Sequence, residues 1–360
     1  MPPEDDFTRE RDPRQRTTAR IIGLVVAAAL VAVGTGVWLT RAQSPPTGIA
    51  PVTSTPSPTA PEPSSPTPTP VPSAPVLGPG FSVAEDGMAR ELVTFGGVDS
   101  YDATWTWRGD RWLLARPSVS PPGRSGAASA YDPLTGGVML QGGRLASGEL
   151  VDDTWLWDRS TWRLLDRDTG SPPAAEDSVM AWDPLLNEMV LVIGRGSSSG
   201  GTWTWNGSRW IEQVGGGLPS GTFLVGLAVD PATRTLLGAS CCSVGQGATS
   251  TWAWDGTTWR AVGTGAGPAF TVALALNPES GRPLLFADPP LAAGREMWSW
   301  SGQDWVLLTG ARLPAFPGGA VTDTVDGHVV VVGSLAEAVL GNPQPLHIWS
   351  LSGSTWRQLG

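Results

Sequence analysis

The 360-residue chain contains no lysine: all of its 23 basic residues are arginine. That excludes any mechanism built on a lysine Schiff base. An arginine-only base set, with 46 Gly and 34 Pro, matches the codon bias of a high-GC bacterial genome. Histidine is almost absent. The two present, His328 and His347, are expected to start the second and third strands of one antiparallel sheet, at opposite ends. At about 3.3 Å per residue they stand roughly 20 Å apart, which excludes a shared metal ion. No metal or cofactor is therefore expected. Tyrosine is limited to Tyr101 and Tyr131, and cysteine to the adjacent pair Cys241 and Cys242. In an oxidising compartment such a pair forms either a vicinal disulfide or an intermolecular bridge. The plain alternative is two small residues filling a tight turn. Positive charge is also scarce. From residue 78 onward there are 27 Asp and Glu against 17 Arg, a net of −10. This disfavours nucleic acid and anionic membrane surfaces as partners of that region.

Tryptophan is abundant, and its spacing is regular. The pattern Trp-x-Trp-x4-Trp recurs as Trp105/Trp107/Trp112, Trp155/Trp157/Trp162, Trp203/Trp205/Trp210, Trp252/Trp254/Trp259, Trp298/Trp300/Trp305 and Trp349/Leu351/Trp356. These sets use 17 of 19 Trp, at intervals of 50, 48, 49, 46 and 51 residues, a period that marks a repeat architecture. The first two Trp lie two apart and so share one face of a strand. The third follows a four-residue turn such as Arg108-Gly-Asp-Arg111, and five of the six turns carry Gly where a reversal needs φ > 0. Trp107 is then expected opposite Trp112. Upstream of each triplet lies a second hairpin, turning at Glu85-Asp-Gly, Asp132-Pro, Asp183-Pro, Asp230-Pro, Asn277-Pro or Asp326-Gly. Short β-branched and apolar runs, such as Ala127 to Tyr131 and Val329 to Val332, flank those turns.

Each repeat is thus four antiparallel strands. The fold class is all-β, a six-bladed β-propeller over 78–360, with blades at about 78–117, 118–168, 169–215, 216–263, 264–309 and 310–360. The ring has no spare strand to latch it unless Ala74 to Leu77 supplies one. Otherwise closure rests on apolar packing between blades one and six. The Trp admit two readings, packing between blades or platforms for sugar rings. Their equal distribution over every blade favours packing. Trp182, outside the motif, takes the place of Tyr131 at the end of an inner strand and joins the core.

Several residues resemble the kelch-repeat family, which includes the central domain of galactose oxidase. They are the Pro-Pro-Gly-Arg124 lead-in, the Tyr131-Asp132 strand end, the double glycines Gly96-Gly97 and Gly142-Gly143, and the Trp of strands three and four. The double glycine decays to Gly194, Ser240-Cys241, Ala287-Asp288 and Gly333-Ser334 in later blades. The resemblance implies a kelch-type propeller. The copper-radical site of galactose oxidase is not supported, because this chain's Tyr, Cys and His fall in different blades.

The N-terminal quarter is of another kind. Residues 1–20 form a short tail carrying Arg14, Arg16 and Arg20; residues 21–40 have no charge and, as a helix of about 30 Å, match a bilayer core. The arginine imbalance places the N-terminus inside and the propeller outside a cell membrane, as a single-pass protein. A cleaved signal that leaves the propeller secreted is the alternative. Residues 41–77 are a Pro/Ser/Thr-rich disordered linker, with 12 Pro among positions 44–77. In polyproline II, at about 3.1 Å per residue, that stretch reaches roughly 100 Å.

Connections between strands two and three, and between blades, vary in length and charge and open on one face of the ring. Recognition residues concentrate on such loops. Arg124, Arg144, Asp152, Asp153, Arg195, Arg295 and Glu296 are the candidate ligand contacts there. The expected function is an anchored extracytoplasmic binding or scaffold module for a protein or envelope glycan. Two alternatives stand beside it: a carbohydrate-active isomerase or lyase drawing on Glu149, Asp152, Asp153 or Glu296, and an exported sensor signalling through a membrane partner. No catalytic residue is assigned.

Overall fold

The computed structural model describes residues 74–360 except 99–100, 167–169, 197–199, 242–248, 264, 266, 269, 289–294, 311–312, 314–315, 324–325 and 335–343. The expected membrane span and most of the linker lie outside the described residues. Among the described residues, no helix is long and apolar enough to cross a membrane.

Six four-stranded antiparallel sheets follow one another along the chain. Blade one runs through Phe81–Asp86, Glu91–Gly96, Thr104–Trp107 and Trp112–Leu114. The other inner strands are Ala128–Asp132, Val179–Asp183, Phe223–Asp230, Thr271–Asn277 and Phe316–Asp323. All six line one central channel of about 1580 Å³. The architecture is a six-bladed propeller.

The turn after each inner strand is set by its last residue. Asp86, Asp132, Asp183, Asp230 and Asn277 are buried, and each side-chain oxygen accepts from the N–H two residues on, at 2.8–3.0 Å. These are Asx turns, in which the side chain supplies the acceptor the reversing backbone lacks. In blade six the register pairs Asp323 with His328, so Asp323 and not Asp326 takes this place in the repeat.

The Trp hairpins pair as their spacing requires. Trp107 faces Trp112, and the same register holds for Trp157/Trp162, Trp205/Trp210, Trp254/Trp259 and Trp300/Trp305. Ring centroids in these pairs are 5.2–5.5 Å apart. Each set packs against the preceding blade: Trp155, Trp157 and Trp162 of blade two join Ala84, Val93 and Phe95 of blade one. Trp205 and Trp210 of blade three likewise meet Ala128, Met139 and Leu156 of blade two. Thirteen of the seventeen motif indoles are buried, which assigns the set to the interfaces between blades. At about 25 cal/mol per Å² and 150–250 Å² per indole, each contributes several kcal/mol. Trp182 packs, partly buried, on the same core as Trp205.

A hydrogen bond accompanies this packing. The outer-strand indole of one blade donates to the threonine that opens the third strand of the blade before: Trp162 to Thr104, Trp210 to Thr154, Trp259 to Thr202 and Trp305 to Thr251, at 2.7–2.9 Å. Blades five and six carry Met297 and Ile348 at the threonine position. The Trp356 and Trp112 nitrogens are correspondingly buried without a protein partner among the described residues.

The ring closes by both expected means. Val76 and Leu77 pair antiparallel with Pro345 and Gln344 of blade six, and Leu346 N–H donates to Pro75 at 2.9 Å. Beneath this two-residue strand, Leu77, Trp105, Trp107 and Trp112 pack with Val330, Val332 and Ile348 of blade six.

Candidate functional site

The connections between strands two and three share one end of the ring with those between blades, and the double glycines begin that face. Gly97 N–H donates to Arg124 O and Gly143 N–H to Ala175 O, each across a blade boundary. Both donors have φ near +100°, at +96° and +104°. A Cβ on Gly142 would lie 2.9 Å from Ala175 O, so only glycine lets the next blade's lead-in pass this close.

Arg124 sits under that crossing and is fully buried. Its guanidinium donates to Pro122 O and Gly142 O at 2.9 and 3.0 Å and forks onto both oxygens of Asp153, which also accepts the Trp155 indole N–H at 2.7 Å. Arg124 and Asp153, expected as ligand contacts, are therefore internal. Loop carbonyls that no strand partner reaches, together with one buried carboxylate, use up the guanidinium.

Arg144 and Arg195 occupy one position of the repeat. Each stands four residues beyond the second-strand residue, Leu140 or Leu191, that faces the first Trp of its blade. Both reach carboxylates at the start of blade three. Arg144 grips Glu176 with two bonds of 2.7 and 2.8 Å and donates to Gly148 O; Arg195 donates to Asp177 Oδ2 through Nε at 2.9 Å and also through Nη2. The backbone adds a reciprocal pair, Glu176 N–H to Arg195 O and Arg195 N–H to Glu176 O. The Arg144 hydrogen bond, acting against partial burial, holds the Glu176 carboxyl below the usual carboxylate range. Hydrogen bonds donated to Glu176 and Asp177 raise Arg144 and Arg195 in turn. The cluster sets two arginines against two acidic residues, equal in number and opposite in formal charge. Arg195 and Asp177 also line the channel.

The remaining candidates lie apart from this cluster. Asp152 is exposed on the loop of blade two, as is Glu149. Arg295 and Glu296 belong to blade five, where Arg295 stands 3.6 Å from Asp288 and Glu296 accepts the Trp298 indole N–H at 3.0 Å. Glu176 and Asp177 escaped the sequence reading. Their equivalents in blade two are Ser125 and Gly126, so only strand register, not residue type, marks the position. His328 and His347 sit at opposite ends of their strand pair: Val329 faces Leu351 and Gly333 faces His347. His328 lies 3.0 Å from Glu279 of blade five, and His347 3.1 Å from Gln358. Cys241 ends the second strand of blade four; its side chain and Cys242 lie outside the described residues. Among the described residues, no cluster of His, Cys, Asp and Glu has the arrangement of a metal site.

No protein-family model matches the chain, and no curated protein is similar to it in sequence. Solved structures are similar in fold. YjhT aligns with TM-score 0.54 at 12% identity, over 80% of this chain and 99% of that one. AofleA from Arthrobotrys oligospora gives 0.53 at 15%, over 78% and 85%. The SapL1 lectin, solved with α-methyl fucoside, gives 0.53 at 14%, over 79% and 96%. Similarity at this identity establishes the six-bladed propeller and nothing more specific.

Proposed function

We propose that this chain is a membrane-anchored, kelch-type propeller that holds an envelope glycan on its loop face outside the cell. The observation that carries this reading is the charge-balanced cluster Arg144, Glu176, Asp177 and Arg195 on the loop face, whose Asp177 and Arg195 line the channel. Alternating guanidinium and carboxylate groups fix donors and acceptors side by side, the arrangement that adjacent sugar hydroxyls require. The groups rest on a rigid ring, so little ordering is needed on binding. SapL1, a lectin with the same fold, gives the reading a precedent. The anchor and the proline-rich spacer of the sequence complete it, holding the propeller off the membrane where glycans are met.

The enzyme reading has less support. A catalytic acid and base must both face the substrate, whereas Asp153 is committed to Arg124 and Trp155 inside the scaffold. Glu176→Gln tests the glycan reading. The amide keeps the volume but removes the charge and one acceptor. Titration of the full-length, detergent-solubilised chain with neutral oligosaccharides should show binding weakened about tenfold or more, equivalent to about 1.4 kcal/mol, with little change in melting temperature. Unchanged affinity in the variant, or no binding by the parent chain, would count against it.

A further inference from the structure

The residue that immediately precedes each inner strand's first core position takes the same place at the loop-face end of every blade, and in blades one to four it lines the channel. In blade one it is Gly80, next to Phe81, which pairs with Gly96. Backbone bonds from Gly126 N–H to Gly80 O, and from Asp177 N–H to Gly126 O, carry the position through blades two and three. Register carries it through the rest: Phe223 faces Cys241, Phe270 precedes the Thr271/Ala287 pair, and Phe316 faces Ser334. The position therefore reads Gly, Gly, Asp, Phe, Phe, Phe. The inner strands of blades four to six also share a bulge just after it, between Leu224 and Gly226, Thr271 and Ala273, and Pro317 and Gly319. At this one position, blades one to three carry no side chain beyond an aspartate, whereas the residue in blades four to six is phenylalanine.

Phenylalanine at this position runs against the economy of folding. Phe223 is 43% and Phe270 48% exposed, and the bulge residue Val272 is 39% exposed. Phe270 also has φ +57°, the left-handed region that glycine adopts freely and a bulky side chain does not. Gly80 and Gly126, at the same position, have φ +78° and +66°. The remaining non-glycine residues with positive φ, Asp177 apart, fall in hairpin turns, where the reversal itself demands that conformation. A glycine at 270 would fold without strain and without an exposed ring. Strain and exposure retained together mark a residue kept for what it contacts.

We propose that a crescent formed by Phe223 and Phe270 stacks on the apolar C–H face of a neutral terminal sugar ring. Asp177 and Arg195, on the blade next to Phe223, bind that sugar's hydroxyls. Asp177 gives one carboxylate oxygen to Arg195 and sets the other beside Gly126. The pair cancels in charge, which selects a neutral sugar over a phosphate or a uronic acid. The crescent rests on the loop-face glycan reading and gives it a specific subsite.

Phe270→Gly separates function from structure. In the full-length, detergent-solubilised chain, its melting temperature should equal or exceed that of the parent, because strain is removed. Calorimetric titration with methyl α-fucoside, methyl β-galactoside, methyl α-mannoside and chitooligosaccharides should show at least a tenfold loss of affinity for whichever sugar the parent binds. Phe223→Ser should do the same. A Phe270→Gly variant that binds like the parent would overturn the crescent while leaving the loop-face reading intact. A variant that melts well below the parent would overturn it too, by showing a packing role. If the parent binds none of these sugars, the glycan reading falls and the crescent with it.

Discussion

At the scale of single residues, the threonine that opens each Thr-Trp-x-Trp strand has an effect out of proportion to its size. Thr154 is fully buried, and its Oγ1 accepts the Trp210 indole N–H from the next blade at 2.9 Å. Valine has the same shape without the acceptor. Thr154→Val should therefore leave a buried N–H unsatisfied and cost about 1–3 kcal/mol, read as a lower midpoint in urea with an unchanged slope. A midpoint equal to the parent's would mean that water or a neighbouring group takes the bond. This threonine was visible at 104, 154, 202 and 251, repeating with the tryptophans, yet residue type alone gave no sign that it joins two blades. Arg124 teaches the converse. An arginine in a loop of an acidic protein reads as exposed, and only the fold reveals the carbonyls and the Asp153 carboxylate that enclose it.

At the scale of the element, the outer hairpin turns repeat one device with different atoms. In blade four, Asp255 Oδ1 accepts from the N–H groups of Thr257 and Thr258 at 2.9 and 2.8 Å. In blade three, Asn206 Oδ1 does the same with Ser208 and Arg209 at 3.0 and 3.1 Å. Those donors, Thr258 first, lower the Asp255 carboxyl from 3.8 to about 2. Because the folded value lies below the unfolded one, the contribution is complete above the unfolded value and is lost as pH falls toward 2. Asp255→Asn should keep the turn, as blade three demonstrates, and remove that dependence. Melting temperatures from pH 5 to 2 should fall less steeply for the variant; parallel curves would refute the linkage. These turns were legible because an Asx turn is a local arrangement within four residues. The series from Gly80 to Phe316 was not, since the bulges in blades four to six shift the count by one and hide the alignment of Phe223, Phe270 and Phe316 with Gly80.

At the scale of the molecule, the ring is not held equally all the way round. Four indole–threonine bonds join blades one to five in sequence, while the contacts of blade six with both neighbours lack them. What holds blade six is apolar packing, the Val76–Leu77 strand and the Glu279 carboxylate, which accepts from Gly353 N–H at 2.7 Å. The repeat suggested equal blades because tryptophan spacing reports packing and does not report which acceptor lies across the boundary. Cooperative units open at different free energies, the least secured first. In native-state hydrogen exchange, the amides of His347–Ser352 should then exchange through an opening smaller and easier than the one that frees Thr154–Trp157 of blade two. Leu77→Ala, which truncates a fully buried side chain in the closure cluster, should lower the first opening free energy by about 2–4 kcal/mol. Blade two should change far less, because its neighbours on both sides remain bonded. Equal protection of the two strands in the parent, or an equal fall in both in the variant, would instead make the propeller a single cooperative unit whose weakest joint lies elsewhere.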